Sequence, residues 1–500
     1  VSERADAAAG ALPDPERLGR LEALTDRLNP ILVRELQQAL AGRAFVATLF
    51  LTVVAVVLLA MGFAWIGEAG DQRGREAFAW CIAAIAPIAL LIVPLQAFTG
   101  MRQEVGGGTA EQLLMTRLRP SRIVLGKILA GLAQFGLFLG VFAPLVALTF
   151  LLRGIDVPTI ALTLFFALLA NIAANAFAIA LASVGGAKTA QQATQALASA
   201  GLFIATFTAM GGSHELPYLF ASLLRDGDFW AIFLSLLGSF AVGIWLCAMI
   251  ATTALAHGYE NRSSPFRAFA VGMLLLLAVW LVAALEPRYV GEAAGYVSAS
   301  FALCLAPFWL WAACEEAGMS PRVRSLVPRR GGLALLAVPF LPGGGRGVLF
   351  GLLLAALGVA VGGLLPLAVG GRPDRTALRV CAIAWLYVPL VQAIAQAMRN
   401  RLPRGRRFSL GCFVVTLLAV LLLAILPLLY HLLTDTRVEG WHLGHLFNPI
   451  FTVADGHARR EALVALALLA GLGLLSCLPP LWRGIVEVRR ASAQRRQLGG

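Results

Sequence analysis

Residues 44–65 read AFVATLFLTVVAVVLLAMGFAW, without one charged side chain. A helix needs roughly 20 apolar residues to cross the hydrocarbon core of a bilayer, because lipid offers backbone N–H and C=O groups no partner. This run meets that length and leaves no polar face for water, so it predicts a membrane-crossing helix. The same reading applies near 77–99, 124–151, 158–184, 195–212, 229–256, 266–285, 289–313, 347–370, 378–398, 409–430 and 460–479. The expected fold is an all-α polytopic membrane protein with about twelve transmembrane helices.

Composition points the same way. The chain is 59% hydrophobic and 13% charged, with a mean hydropathy of +0.80, beyond what a soluble core of this size requires. Its net charge of +13 is unevenly placed. With the N-terminus in the cytoplasm, inner segments carry roughly three times the Arg and Lys of outer ones, as the positive-inside rule expects. Arg117, Arg119, Arg122 and Lys127 fall inside, as do Arg399, Arg401, Arg404, Arg406 and Arg407, whereas Arg73, Arg153 and Arg288 fall outside. Both termini are therefore expected in the cytoplasm. The charge follows topology, and a nucleic-acid partner is not expected.

The chain divides into a flexible cytoplasmic leader (1–28), a six-span region (29–264), a second six-span region (265–480) and a basic tail (481–500). The leader mixes Asp, Glu, Arg, Ala and Pro without the apolar core of a signal peptide. Asn29 and Pro30 suit the start of a helix. In the helix that follows, Leu32, Leu36 and Leu40 share one face while Arg34, Gln37 and Gln38 lie off it. The pattern predicts an amphipathic interfacial helix before the first span. The stretch 315–346, with SPRVRSLVPRR and PGGGRG, and residues 400–407 read as loops on the headgroup surface.

Between spans two and three lies Glu104–Lys127, EVGGGTAEQLLMTRLRPSRIVLGK. Thr109 and Gln112 fit a capping box that opens a short helix from Ala110 to about Leu118. Pro120 stops that helix, and Ser121 can cap the next, which begins at Arg122. A short helix rigidly joined to a spanning one is a lever.

These residues resemble a known family. Asn29-Pro30 through Arg34-Glu35-Leu36, then Glu104, Gly108-Thr109, Glu111-Gln112-Leu113-Leu114, Thr116, Pro120-Ser121-Arg122 and Gly126-Lys127 are similar to the permease subunits of type-2 ATP-binding-cassette (ABC) transporters. The resemblance covers about a tenth of the chain, and the six-span layout up to residue 264 agrees with the family's. It implies a coupling helix that docks on a separate cytoplasmic ABC ATPase, with Glu104, Thr109, Glu111, Leu113, Leu114 and Thr116 at or near the contact. It also implies that Arg34 and Glu35 belong to the interfacial helix, that transport is outward, and that the chain sits in a bacterial inner membrane, as a homodimer or with a second permease subunit. The chain departs from the family at Val105-Gly106-Gly107, where basic residues are common, and at Arg117, where proline is common. No second coupling motif maps onto the later spans, although 315–346 occupies the equivalent place.

Other signals are weaker. Asn171 and Asn175 stand one helical turn apart, and Gln191, Gln192 and Gln195 open the next span. They are candidates for a transport pathway, with interhelical hydrogen bonding as the plainer account. Span interiors offer no firmly placed Asp, Glu or Lys, which weighs against the alternative of an ATPase-independent secondary carrier. His442 and His445, with Asp435, Glu439, Asp455 and His457 nearby, read as a solvated outer loop and not a metal site. A membrane enzyme using the loop 431–459 is the other alternative, but no nucleophile–base constellation emerges, and the expectation is a non-enzyme without cofactor. Gly126-Lys127 lacks the upstream glycines and Ser/Thr of an ATP-binding loop. Seven cysteines without CxxC spacing read as packing residues.

Overall fold

The computed structural model describes residues 30–65, 73–107, 119–184, 188–225, 227, 229–256, 261–316, 318–402, 408–433, 446, 448, 452–453 and 460–497. Every regular element among them is helical. Ten helices are long and apolar enough to cross a membrane, or eleven if one bent pair counts as a single span. The chain separates into two compact units, divided between Ala256 and His257.

The first unit contains α1 (Pro30–Ala41), α2 (Arg43–Trp65), α3 (Arg73–Gly106), α4 (Pro120–Leu151), α5 (Val157–Ser183), α6 (Lys188–Gly211), α7 (Leu216–Leu223) and α8 (Phe229–Leu255). Phe45 of α2, Cys81 and Ile85 of α3, and Phe135, Phe138 and Phe142 of α4 make one core. Phe98 and Met101 of α3, Ile128 of α4, Ile179 of α5, Leu202 of α6 and Ala251 of α8 make another. Much apolar surface stays uncovered, with Phe50 71% and Leu51 63% exposed on α2. Contiguous apolar faces of this kind suit lipid and not water.

One helix start differs from expectation. α4 begins at Pro120 with Arg119 as its extended N-cap, so Ser121 lies inside the first turn and makes no cap bond. Proline at the first helical position gives up an N–H that has no partner there anyway, and its φ is already helical. Within α3, residues Ile88–Ile92 form a π turn between Pro87 and Pro94. Pro94 has no N–H to give, and the Ala89 carbonyl accepts instead from Asn171 Nδ2 at 2.7 Å. The substitution Asn171→Leu is therefore expected to cost about 1–3 kcal/mol by orphaning that buried carbonyl. Reversible unfolding in mixed micelles measures it, and a change below about 0.5 kcal/mol would mean the carbonyl is satisfied elsewhere.

The second unit contains α9 (Ser264–Ala284), α10 (Pro287–Cys304), α11 (Ala306–Cys314), α12 (Pro321–Leu326), α13 (Gly331–Ala337), α14 (Gly344–Ala368), α15 (Arg375–Arg401), α16 (Phe408–Leu433) and α17 (Arg460–Gln497). The segment expected at 289–313 is broken: α10 and α11 meet at 43°. Pro307 cannot donate to the preceding turn, and the chain bends there. Trp309, Phe350, Trp385 and Val388 fill the core of this unit, and Trp385 Nε1 donates to Ser298 Oγ at 3.1 Å.

The stretch 315–346 and the basic tail are more ordered than loops. α12 and α13 pack through Val323, Val327 and Ala334 against Val488 and Ala491, and α17 runs unbroken from the apolar segment through the tail to Gln497. A short apolar patch on each side closes that contact, a signal hidden in a sequence dominated by arginine and glycine.

Candidate functional site

The described stems of the 104–127 segment meet α1 in a cluster of charges. Glu104 lies near the end of α3, Lys127 two turns into α4, and Glu35 one turn into α1. Lys127 Nζ stands 2.8 Å from Glu35 Oε1 and 3.0 Å from Glu104 Oε2, and its side chain is 3% exposed. Arg34 Nη2 approaches Glu104 Oε1 at 3.7 Å from a half-exposed position. Two carboxylates thus share one buried ammonium, and the outer guanidinium balances the charge. A buried lysine is tolerated only with such partners.

Local sequence explains the placement. On α4, Lys127 shares a buried stripe with Gly131, Gln134, Phe135, Phe138 and Phe142, at three- and four-residue spacing. Its ammonium is therefore carried toward α1, not to solvent. On α1, Ile31 is buried, Leu32 and Leu36 are half-buried and Leu40 is exposed. Ile31 and Glu35 lie one turn apart, so the helix buries a side adjacent to the expected leucine stripe.

Arg102 fastens the same end of α3 in another direction. Its guanidinium donates to the carbonyls of Val184 at 3.4 Å and Gln191 at 3.2 Å, and to the Thr194 hydroxyl. The end of α3 is thereby tied to α1 and α4 through Glu104 and to the α5–α6 connection through Arg102. Further along, Gln134 Nε2 donates to Gln96 Oε1 at 2.6 Å, a second polar link between α3 and α4. The arrangement has no nucleophile paired with a base. It is a joint of hydrogen-bonded charge among α1, α3 and α4.

No family profile, curated protein or solved structure matches the chain.

Of the residues singled out by sequence, Arg34, Glu35 and Glu104 come together here. Thr109, Glu111, Leu113, Leu114 and Thr116, with the capping box, lie outside the described residues, as do His442, His445 and their acidic neighbours. Asn171 and Asn175 are both fully buried. Asn175 Nδ2 donates to the Asn171 carbonyl at 2.9 Å, and its side chain rests over Gly131, where a Cβ would approach Oδ1 to 2.6 Å. Among the described residues no group of His, Cys, Asp or Glu is arranged to hold a metal. All seven cysteines are free, and Cys81, Cys314, Cys381, Cys412 and Cys477 are buried.

Lys127 reads in the sequence as a topology charge and as part of the resemblance, not as the common partner of Glu35 and Glu104. Its register with the Gly131–Gln134–Phe138 stripe is the signal that places it. The expectation that span interiors hold no firmly placed Asp, Glu or Lys concerns mid-span positions, and two buried cations lie nearer the helix starts. Lys127 in α4 and Arg267 in α9 are both buried, the latter with Glu315 Oε2 at 2.6 Å. Each lies within two turns of its helix start, where one apolar run on a hydropathy scale conceals it.

Proposed function

We propose that this chain is the permease subunit of a type-2 ABC transporter, exporting its substrate across a bacterial inner membrane with a separate cytoplasmic ATPase. The observation that carries the reading is the Glu35–Lys127–Glu104 joint. The resemblance lies on α1 and on both stems of the 108–118 segment, and those are the elements this joint locks together. In this reading about twelve segments cross the membrane, the bent α10–α11 pair and α16 included. Both termini and the 108–118 segment face the cytoplasm.

α1 then lies in the headgroup region, with Leu40 open to lipid and Glu35 turned to Lys127. ATP binding closes the ATPase pair and pushes on the 108–118 lever. The push reaches α3 and α4 together, and Lys127 carries α1 with them. Such coupling requires contacts that differ between the two states, which a docked helix supplies. A second copy of the chain or a second permease subunit completes the pathway, and no catalysis or cofactor is assigned to this chain.

The test is co-purification of the tagged chain from its native membrane, in mild detergent with an ATP analogue. The intact chain is expected to bring down a stoichiometric ATPase. Glu111→Arg with Leu114→Asp is expected to lose it while yield and melting temperature hold. Absence of an ATPase from the intact chain overturns the proposal.

A further inference from the structure

The second unit holds a cavity of about 240 Å³ where the first turn of α14 meets the end of α15 and the middle of α17. This lies just below the roughly 300–1,000 Å³ of pockets that take drug-sized ligands. Its charged lining is three arginines, Arg346, Arg399 and Arg483, against one carboxylate, Glu487. Arg346 Nη1 is bound to that carboxylate at 2.7 Å. Arg399 donates from Nη1 to Gln396 Oε1 at 3.1 Å, and the lining as a whole carries three guanidinium groups to one carboxylate. Arg483 makes no ion pair among the described residues and is exposed at the rim.

The backbone adds to that excess. α14 begins at Gly344 after Gly343, whose φ is +130°, and no side chain caps it. Gly344 and Gly345 line the cavity, so first-turn amides, which have no acceptor within their own helix, border it. The glycines are required by crowding: a Cβ on Gly344 would meet Arg399 Nη1, and one on Gly345 would meet the Pro480 carbonyl. A helix N-terminus favours anions and disfavours cations, yet the Arg399 guanidinium is packed against this one. Its backbone is also held firmly. Arg267 donates to the Pro339 carbonyl at 2.8 Å and the Leu341 carbonyl at 2.7 Å, and Glu315 accepts from the Gly343 amide at 2.7 Å.

The surface beside the cavity is apolar. Ser476, Pro479 and Arg483 of α17 face into it, while Leu475, Leu478 and Trp482, on the neighbouring stripe of the same helix, are exposed. A polar pocket with an excess of arginine beside an exposed Leu–Leu–Trp stripe matches a charged headgroup with acyl chains beside it.

From these observations we infer that the cavity binds the phosphate of an anionic phospholipid, with Arg399 and Arg483 as its cationic ligands and the first turn of α14 supplying N–H donors. Arginine suits this role because its planar fork gives paired hydrogen bonds to phosphate oxygens. The inference does not depend on the transporter reading. It requires only that the chain lies in lipid.

Native mass spectrometry of the full chain in mild detergent tests it, with phosphatidylglycerol, phosphatidylcholine and inorganic phosphate as probes. The expected result is one saturable phosphatidylglycerol site, favoured over phosphatidylcholine and weakened at least about tenfold by Arg399→Gln with Arg483→Gln. That factor corresponds to loss of one strong charge-assisted contact. Arg489→Gln with Arg490→Gln, two exposed arginines on the same helix outside the cavity, is expected to leave binding intact. If the first pair fails to fold, Arg483→Gln alone, at an exposed position, gives the same reading with a smaller loss. Saturable binding of inorganic phosphate that competes with the lipid and is lost in the variant would keep the oxyanion site and overturn the lipid assignment. Equal phosphatidylglycerol binding by parent and cavity variant, or equal loss in the control variant, overturns the site.

Discussion

Arg267→Leu is expected to destabilise the second unit by about 4–5 kcal/mol, the upper part of the roughly 3–5 kcal/mol range for stripping one partner from a buried, hydrogen-bonded ion pair. The Arg267 residue is 1% exposed. Besides Glu315 Oε2 at 2.6 Å, its guanidinium serves Ser263 Oγ at 2.8 Å and the carbonyls of Pro339 and Leu341. Leucine fills the volume but leaves a buried carboxylate without its cation and two backbone carbonyls without their donor. Glu315 Oε1 already has no hydrogen-bond partner, and after the substitution the Gly343 amide is the donor that remains on Oε2. Adding Glu315→Leu is expected to restore part of the loss, because the charge is gone, but not all of it, because the carbonyls stay unpaired. Denaturation in mixed micelles gives the energies, and hydrogen exchange at residues 339–345 is expected to rise in the single variant. A single variant within about 1 kcal/mol of the parent would show that the pair is not the fastening described here.

Lys127→Leu carries the other large effect, about 3 kcal/mol. The figure is the low end of the range for a broken buried pair, because Glu104 and Glu35 keep 12% and 19% of their side chains exposed and water relieves part of their charge. The two carboxylates would then face one another across an apolar gap, and α1 is expected to detach from α4 before the rest of the unit unfolds. Protease cleavage near residues 30–43 should accelerate more than the global melting temperature falls. Combining Lys127→Leu with Glu35→Gln and Glu104→Gln removes the repulsion and is expected to recover most of the stability. A triple variant no more stable than the single one would locate the damage in packing along α4 and not in charge. If the transporter proposal holds, Lys127→Leu with Glu35→Gln, which leaves Glu104 in place, should still assemble with its ATPase yet lose coupled hydrolysis, because α1 no longer follows α3 and α4.

Legibility differed between the two kinds of information. Apolar runs such as 44–65, 229–256 and 460–479 announce helices because a backbone without water must satisfy its own hydrogen bonds. Each of those segments lies within a helix, but for the last residue of 229–256. The start expected at Arg122, with Ser121 as its cap, falls two residues earlier, at Pro120 with Arg119 as N-cap. Pro307 was not read at all inside an apolar run, and the bend between α10 and α11 follows from it. Of the site, Glu35 and Glu104 stood out as charged residues beside spans, but their common partner did not.

By itself the sequence determined helix class, the approximate positions of the membrane-length segments and the surplus of positive charge. Those depend on properties summed over a turn or more of one helix, such as apolar length and the spacing of polar residues. Only the tertiary structure decided that Lys127 joins Glu35 to Glu104, that Asn171 serves the carbonyl left by Pro94, and that Arg346 and Arg399 meet at the first turn of α14. Each of these is a contact between helices far apart in the chain. It depends on how a helix is rotated about its axis, and packing against neighbours sets that angle to within the few tenths of an ångström a hydrogen bond allows.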